Sequence, residues 1–155
     1  MGFHGLCFRG WRGSLTLIYG CDEGVSRWVS RQLGYEQAFC NYKAIGVGLD
    51  GNFIAGVVYH DMVSDPQGSP VSIEMSVASI DKRWASRHNL KAFFQYPFTD
   101  LCVRRVETLC SANDEGVIMF NKRLGFTQEG FHKEAWPLGG DAISWGMQKE
   151  GCKWL

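Results

Sequence analysis

Three cations stand close together in the stretch Asp81-Lys82-Arg83-Trp84-Ala85-Ser86-Arg87. The residues before it alternate like a strand and those after it repeat like a helix. A helix beginning here turns its unpaired amide N–H groups, and the positive end of its dipole, toward the same place as the cations. That combination makes a seat for phosphate. Proton removal is the second chemistry on offer, and it needs an imidazole or a carboxylate beside the reacting group. Glu74 lies mid-strand just ahead of the basic stretch. His60, with Asp61 beside it, ends an earlier strand. Ser111 and Asn121 are further polar candidates for returning a proton. Cys110 ends a strand and reads as a small buried apolar residue rather than a nucleophile.

The elements that must position these groups follow from periodicity. Val71, Ile73, Met75 and Val77 alternate with Ser72, Glu74, Ser76 and Ala78, which predicts a strand with one buried face. Leu90, Phe93, Phe94, Phe98 and Leu101 form one helical stripe, and Pro97 is expected to bend that helix near its end. Upstream, Ser14–Tyr19 reads as a strand. A helix follows, with Asp22 as its N-cap, a stripe of Val25, Trp28, Val29 and Leu33, and Gly34 as its end. Strands at 44–49 and 53–59 flank Asp50-Gly51-Asn52, a tight-turn signal. Residues 64–70 form a loop by composition. Downstream come a strand at Arg105–Cys110, a helix from Gly116 to Leu124 closed by Gly125, and strands at Thr127–Trp136 and Ala142–Lys149 joined by a turn at 138–141. The order β-α-β-β-β-α-β-α-β-β predicts a mixed α/β (α+β) sheet with helices packed on it.

The chain has 155 residues, 45% hydrophobic and 21% charged, which suits one folded domain over 1–155. Sixteen basic and sixteen acidic side chains cancel. A chain that grips nucleic acid by its phosphates is usually basic, so this balance weighs against such a partner. No apolar run reaches the roughly 20 residues a membrane helix needs. The first residues lack the apolar core of a signal peptide, and Leu6 stands where a myristoylation motif has Ser or Thr. A cytoplasmic protein is therefore expected. The six cysteines, Cys7, Cys21, Cys40, Cys102, Cys110 and Cys152, form no CxxC pair. Zinc is not expected, and free thiols are.

One ordered set of motifs goes further. Asn113-Asp-Glu-Gly-Val-Ile-Met-Phe-Asn-Lys-Arg-Leu-Gly-Phe126 is followed by Glu129-Gly130, Gly140-Asp141 and Trp145-Gly-Met147, all behind a helix ending Tyr96-Pro97-Phe98. This set resembles the GNAT superfamily of acyl-CoA-dependent N-acyltransferases, in particular the RimJ/RimL-like branch of ribosomal-protein alanine acetyltransferases and phage-type relatives. The resemblance implies a mostly antiparallel sheet of six to seven strands, splayed at its centre, with three to four helices. It implies acetyl-CoA as cofactor. Backbone groups at Met75 and Val77 would pair with pantetheine. Lys82, Arg83, Trp84, Ala85, Ser86 and Arg87 would surround the pyrophosphate, and Asn113 and Phe120 would also touch cofactor. Glu74 or His60 would take the amine proton through water, a strand amide near Met75–Val77 would polarise the thioester, and Ser111 is a candidate to reprotonate the leaving group. The acceptor would be a small amine, a lysine or a protein N-terminus, and a homodimer is a further expectation.

Two departures keep other readings open. Trp84 and Ser86 replace glycines of the family's phosphate loop, where glycine lets phosphate approach the backbone. Gly116 and Asn121 stand where many relatives carry Ser or Tyr as general acid. A GNAT-fold protein that modifies a nucleobase, and one that only binds, are the alternatives.

Overall fold

The structure is a computed structural model that describes residues 13–37 and 39–155. Cys7 and the segment read for a signal or lipid anchor lie outside the described residues. The strands are β1 (Thr16–Ile18), β2 (Lys43–Leu49), β3 (Asn52–Ser64), β4 (Pro70–Ser79), β5 (Arg105–Ser111), β6 (Thr127–His132) and β7 (Ala142–Gln148). The helices are α1 (Asp22–Leu33), α2 (Arg87–Gln95) and α3 (Glu115–Leu124). One seven-stranded sheet runs in the order β1-β2-β3-β4-β5-β7-β6. The ladders β1–β2, β2–β3, β5–β7 and β6–β7 are antiparallel, and β4–β5 is parallel. The mixed α/β sheet expected from the element order is observed, and so is the mostly antiparallel pairing that the resemblance implies. The chain forms two compact units, residues 13–61 with 76–93, and residues 62–75 with 94–155.

In the first unit, α1 buries Val25 and Val29 in a core shared with Ile18, Ala44, Phe53, Val58 and Ala78. Gly46 and Gly56 are paired across β2 and β3. A Cβ on Gly56 would lie 2.8 Å from methyl groups of both Val25 and Val29. The two glycines thus set how closely the helix approaches the sheet. Asp22 does not cap α1. Its Oδ1 accepts from the Ala44 amide at 2.7 Å, and Cys21 occupies the cap position without a side-chain bond. Gly34 ends the helix in the left-handed region at φ 76°. Asp50 and Gly51 both have positive φ, as a two-residue hairpin turn demands. The expectation of free thiols fails at Cys21, which is disulfide-bonded, whereas Cys40, Cys102, Cys110 and Cys152 are free.

β3 runs on to Ser64, beyond the expected residue 59. In β4, Ser72, Ile73, Met75 and Ala78 are all buried, so the single buried face predicted from alternation is corrected. A strand in the middle of a covered sheet loses the contrast between its faces.

In the second unit, the helical path beyond α2 widens into one π turn, Tyr96–Asp100, closed by Leu101 N–H donating to Tyr96 O at 3.0 Å. Pro97, which has no N–H to give, sits inside that turn. Phe94 packs against Phe126 at 5.9 Å and Trp154 at 6.4 Å between ring centroids. Helix α3 is capped by Asp114, whose Oδ1 accepts from the Val117 amide at 3.0 Å. Gly125, at φ 106°, closes it. β6 stops at His132 instead of Trp136. The Asp141 carboxylate takes the Glu134 amide and Lys133 Nζ, each at 3.0 Å, and Glu134 adopts φ 51°. That side-chain clamp replaces strand pairing.

Candidate functional site

The β4–β5 ladder pairs Ser72 with Arg105, Ile73 with Val106 and Glu74 with Glu107, and goes no further. Yet β4 continues to Ser79 and β5 to Ser111. From Met75 onward β4 has no ladder partner in β5, so its main-chain groups on that edge lie outside the β4–β5 ladder.

Glu74 is half-buried at the last paired position, and its register partner Glu107 shares its face. Glu107 is balanced by Arg105, whose Nε lies 2.9 Å from Glu107 Oε1. The Arg105 guanidinium also holds the Glu129 carboxylate. Glu129 is the extra residue at a register shift between Gln128 and Gly130 on β6. Its side chain crosses the sheet over Gly146, where any Cβ would collide with the carboxylate. The Glu129-Gly130 and Gly146 positions of the motif thus have a common physical task.

The basic stretch is a single 3-10 turn, Lys82–Ala85, running into α2. Asp81 caps the turn by accepting from the Arg83 amide at 2.9 Å. The same carboxylate grips the Arg83 guanidinium, with Nε 3.0 Å from both oxygens and Nη2 at 2.5 Å from Oδ2. Hydrogen bonds from the Arg83 side chain and then its amide hold the Asp81 carboxyl down at about 2. Arg83, proposed from sequence as a phosphate ligand, thus already has an anionic partner. Trp84 is buried and stacks on Phe93 at 5.6 Å, so its ring belongs to the core. Its carbonyl accepts from buried Asn89 at 2.8 Å. Ser86 caps α2, with Oγ 3.2 Å from the Asn89 amide and its carbonyl 2.9 Å from the Leu90 amide. That leaves the amides of Arg87 and His88 at the open first turn. Lys82, Arg83, Arg87 and His88 are exposed there, and Ala85 is half-buried.

His60, expected to end its strand, lies inside β3, which runs on to Ser64; it is buried, and both ring nitrogens are engaged. Nδ1 is 2.9 Å from Asp61 Oδ2, and Nε2 is 2.9 Å from Ser76 Oγ. Phe39 covers the ring at a centroid distance of 4.7 Å. Sequence reading missed Ser76. Strand alternation made it one more outward residue, and the pairing of β3 with β4 that brings it to His60 has no local signal.

Of the remaining candidates, Ser111 Oγ accepts from the Asn113 amide at 3.2 Å at the end of β5. Asn113 is exposed and is not the cap of α3. Phe120 is half-buried. Asn121 is buried, its Nδ2 without a hydrogen-bond partner among the described residues. A side-chain amide can donate a hydrogen bond to a thiolate, but it cannot supply a proton near neutral pH. Cys110 is buried and accepts from Trp145 Nε1 at 3.2 Å, and burial pushes its thiol pKa up. An inert, structural cysteine is the result, as expected from sequence.

Solved structures of GNAT acetyltransferases share this fold. A mutant of the spermidine N-acetyltransferase SpeG from Vibrio cholerae superposes with TM-score 0.69 at 16% identity, covering 91% of this chain and 96% of that one. The dodecameric structure of the same organism's spermidine N-acetyltransferase in an intermediate state gives 0.67 at 17% identity, over 88% and 94%. A GNAT-family acetyltransferase from Streptococcus pneumoniae gives 0.66 at 10%, over 87% and 99%. No protein-family model matches the chain, and no curated protein sequence does. The likeness therefore establishes the fold of the superfamily and does not single out the ribosomal-protein branch or a phage type. Among the described residues, no helix is long and apolar enough to cross a membrane.

Proposed function

We propose that the chain is an acetyl-CoA-dependent N-acetyltransferase that moves the acetyl group to a primary amine by direct attack. The observation that carries this reading is the end of the parallel ladder at Glu74 and Glu107, in a fold shared with acetyltransferases. Pantetheine would pair with β4 at Met75 and Val77, where β5 has stopped pairing. The pyrophosphate would sit at the N-terminus of α2, on the amides of Arg87 and His88 and the charges of Lys82 and Arg87. Arg83 would join only by leaving Asp81. Ala85 and Ser86 would contribute backbone, and Asn113 and Phe120 would contact cofactor. The chemistry that acetyl-CoA supplies when bound is an activated acyl thioester.

Glu74 is the first candidate base and His60 the second, each acting through water on the ammonium proton of the acceptor. A β4 amide near Met75–Val77 would stabilise the developing oxyanion. Ser111 is the candidate that returns a proton to the thiolate. Small amines are the first acceptors to test, because two of the similar structures are spermidine N-acetyltransferases. Protein amines come second. Self-assembly, as a homodimer or a larger oligomer, belongs to the same reading, since one of those structures is dodecameric.

Calorimetric titration with acetyl-CoA tests the proposal, followed by an amine screen that follows released thiol. Binding in the micromolar range, with thiol release that depends on a polyamine or a peptide amine, is expected. A folded protein that binds neither acetyl-CoA nor longer acyl-CoAs would overturn it and leave a binding module.

A further inference from the structure

His60 is held as few surface histidines are. The residue is 7% exposed, and its ring is covered by Phe39 and bonded at both nitrogens. A carboxylate oxygen only accepts, so the bond to Asp61 puts the ring N–H on Nδ1 and leaves the Nε2 lone pair for the Ser76 hydroxyl. Ser76 is half-buried on β4, within its strand segment beyond the end of the β4–β5 ladder. Asp61 supplies the third member from an unusual backbone. It takes φ 50°, a left-handed conformation rare for a non-glycine residue inside a strand, and this kink folds its carboxylate back onto the neighbouring imidazole. Hydroxyl, imidazole and carboxylate then stand in the order and at the distances that activate a serine.

We infer that Ser76, His60 and Asp61 form a nucleophilic triad, giving this chain a second activity: hydrolysis of small activated acyl esters and thioesters through an acyl-serine. Ser76 Oγ attacks the acyl carbonyl carbon while His60 Nε2 takes the hydroxyl proton. The carbonyl oxygen collects the electron pair, beside an amide of β4. The pair returns, the bond from carbon to the leaving oxygen or sulfur breaks, and Nε2–H gives its proton to that leaving group. Water then attacks the acyl-serine, Nε2 takes one water proton, the C–Oγ bond breaks, and the proton passes to Oγ. One ester and one water become one acid and one alcohol or thiol. Asp61 touches no reacting atom. It is a positioning residue that fixes the tautomer.

This inference does not depend on a CoA site. The probe is p-nitrophenyl acetate, mixed with the full chain without CoA. A nitrophenolate burst matching the protein concentration is expected, followed by slow turnover, with one acetyl group mapped to Ser76 by peptide mass spectrometry. Ser76→Ala should abolish the burst, and His60→Gln should slow acylation at least a hundredfold. Asp61→Asn should slow it with little change in KM. Ser76→Cys should keep a burst and carry the acetyl group as a thioester at position 76. Mapping on the unaltered chain needs no variant to fold. Acetylation of surface lysines or of the exposed Cys40 or Cys102 without Ser76 would overturn the inference, as would no burst at all. A burst from a chain that binds no acetyl-CoA would sustain the triad while removing the transferase reading. Amine transfer from acetyl-CoA with an unacylated Ser76 would do the reverse.

Discussion

The three α-helices among the described residues begin in opposite electrostatic ways. Helix α1 opens on Asp22 and Glu23, and α3 on the capping Asp114 and Glu115. Those carboxylates satisfy the positive end of each dipole from within the chain. Helix α2 has no acid in its first turn and opens on Arg87 and His88 behind a neutral Ser86 cap. Cations at a helix N-terminus oppose the dipole, so α2 gives up stability that α1 and α3 keep. An arriving polyanion recovers it. The contrast gives the proposed cofactor seat a physical signature that the fold likeness does not supply.

Reversing the charge at α2 breaks the contrast most strongly. Arg87→Glu should weaken acetyl-CoA binding roughly tenfold to a hundredfold, the loss expected for one charge-assisted contact of about 1.5–3 kcal/mol. The same change should raise unfolding stability by about 0.3–1 kcal/mol, because the new carboxylate meets the dipole. Calorimetry reads the first effect and urea denaturation the second. Weaker binding with greater stability would mark a functional terminus. Unchanged affinity would move the phosphate elsewhere.

At α3 the same kind of change has one consequence. Asp114→Ala removes the acceptor for the Val117 amide and should cost about 1 kcal/mol in urea denaturation. Ser86→Ala at α2 should cost less, about 0.5 kcal/mol, because the Ser86 bond to the Asn89 amide is long at 3.2 Å. If Ser86→Ala proved the more damaging, the hydroxyl would have a task beyond its helix.

What the sequence disclosed divides along the same line between local and distant determinants. Helices α1 and α3 were legible because their apolar stripes and closing glycines, Gly34 and Gly125, act within a few residues. The Asp50-Gly51 turn was legible for the same reason. The burial of Trp84 was not legible, because its neighbours are basic and its contact with Phe93 arises only at the turn into α2. The reach of Glu129 to Arg105 depends on a bulge and on the bare backbone of Gly146 one strand away. The bond from His60 to Ser76 joins residues sixteen apart through strand pairing. Charge and hydrophobic pattern locate such residues near a site without revealing which atoms meet.

The smallest expected effect concerns Asp81, which sharpens the contrast from inside the loop. Its carboxylate occupies Arg83, so the loop carries its own competitor for the guanidinium. The folded-state pKa of about 2 lies below the ordinary 3.8. A carboxyl depressed on folding contributes stability that is fully present above its unfolded value. That contribution is lost as pH falls from about 4 toward 2. The pair is exposed, so the change in midpoint over that window should be slight, and Asp81→Asn should abolish it. The same variant releases Arg83 and removes one negative charge beside the proposed pyrophosphate. It should therefore tighten acetyl-CoA binding by a few-fold at neutral pH, most visibly at low salt where charges are least screened. Weaker binding by Asp81→Asn would mean that the cap, by shaping the turn from Lys82 to Ala85, matters more to the seat than the cation it holds.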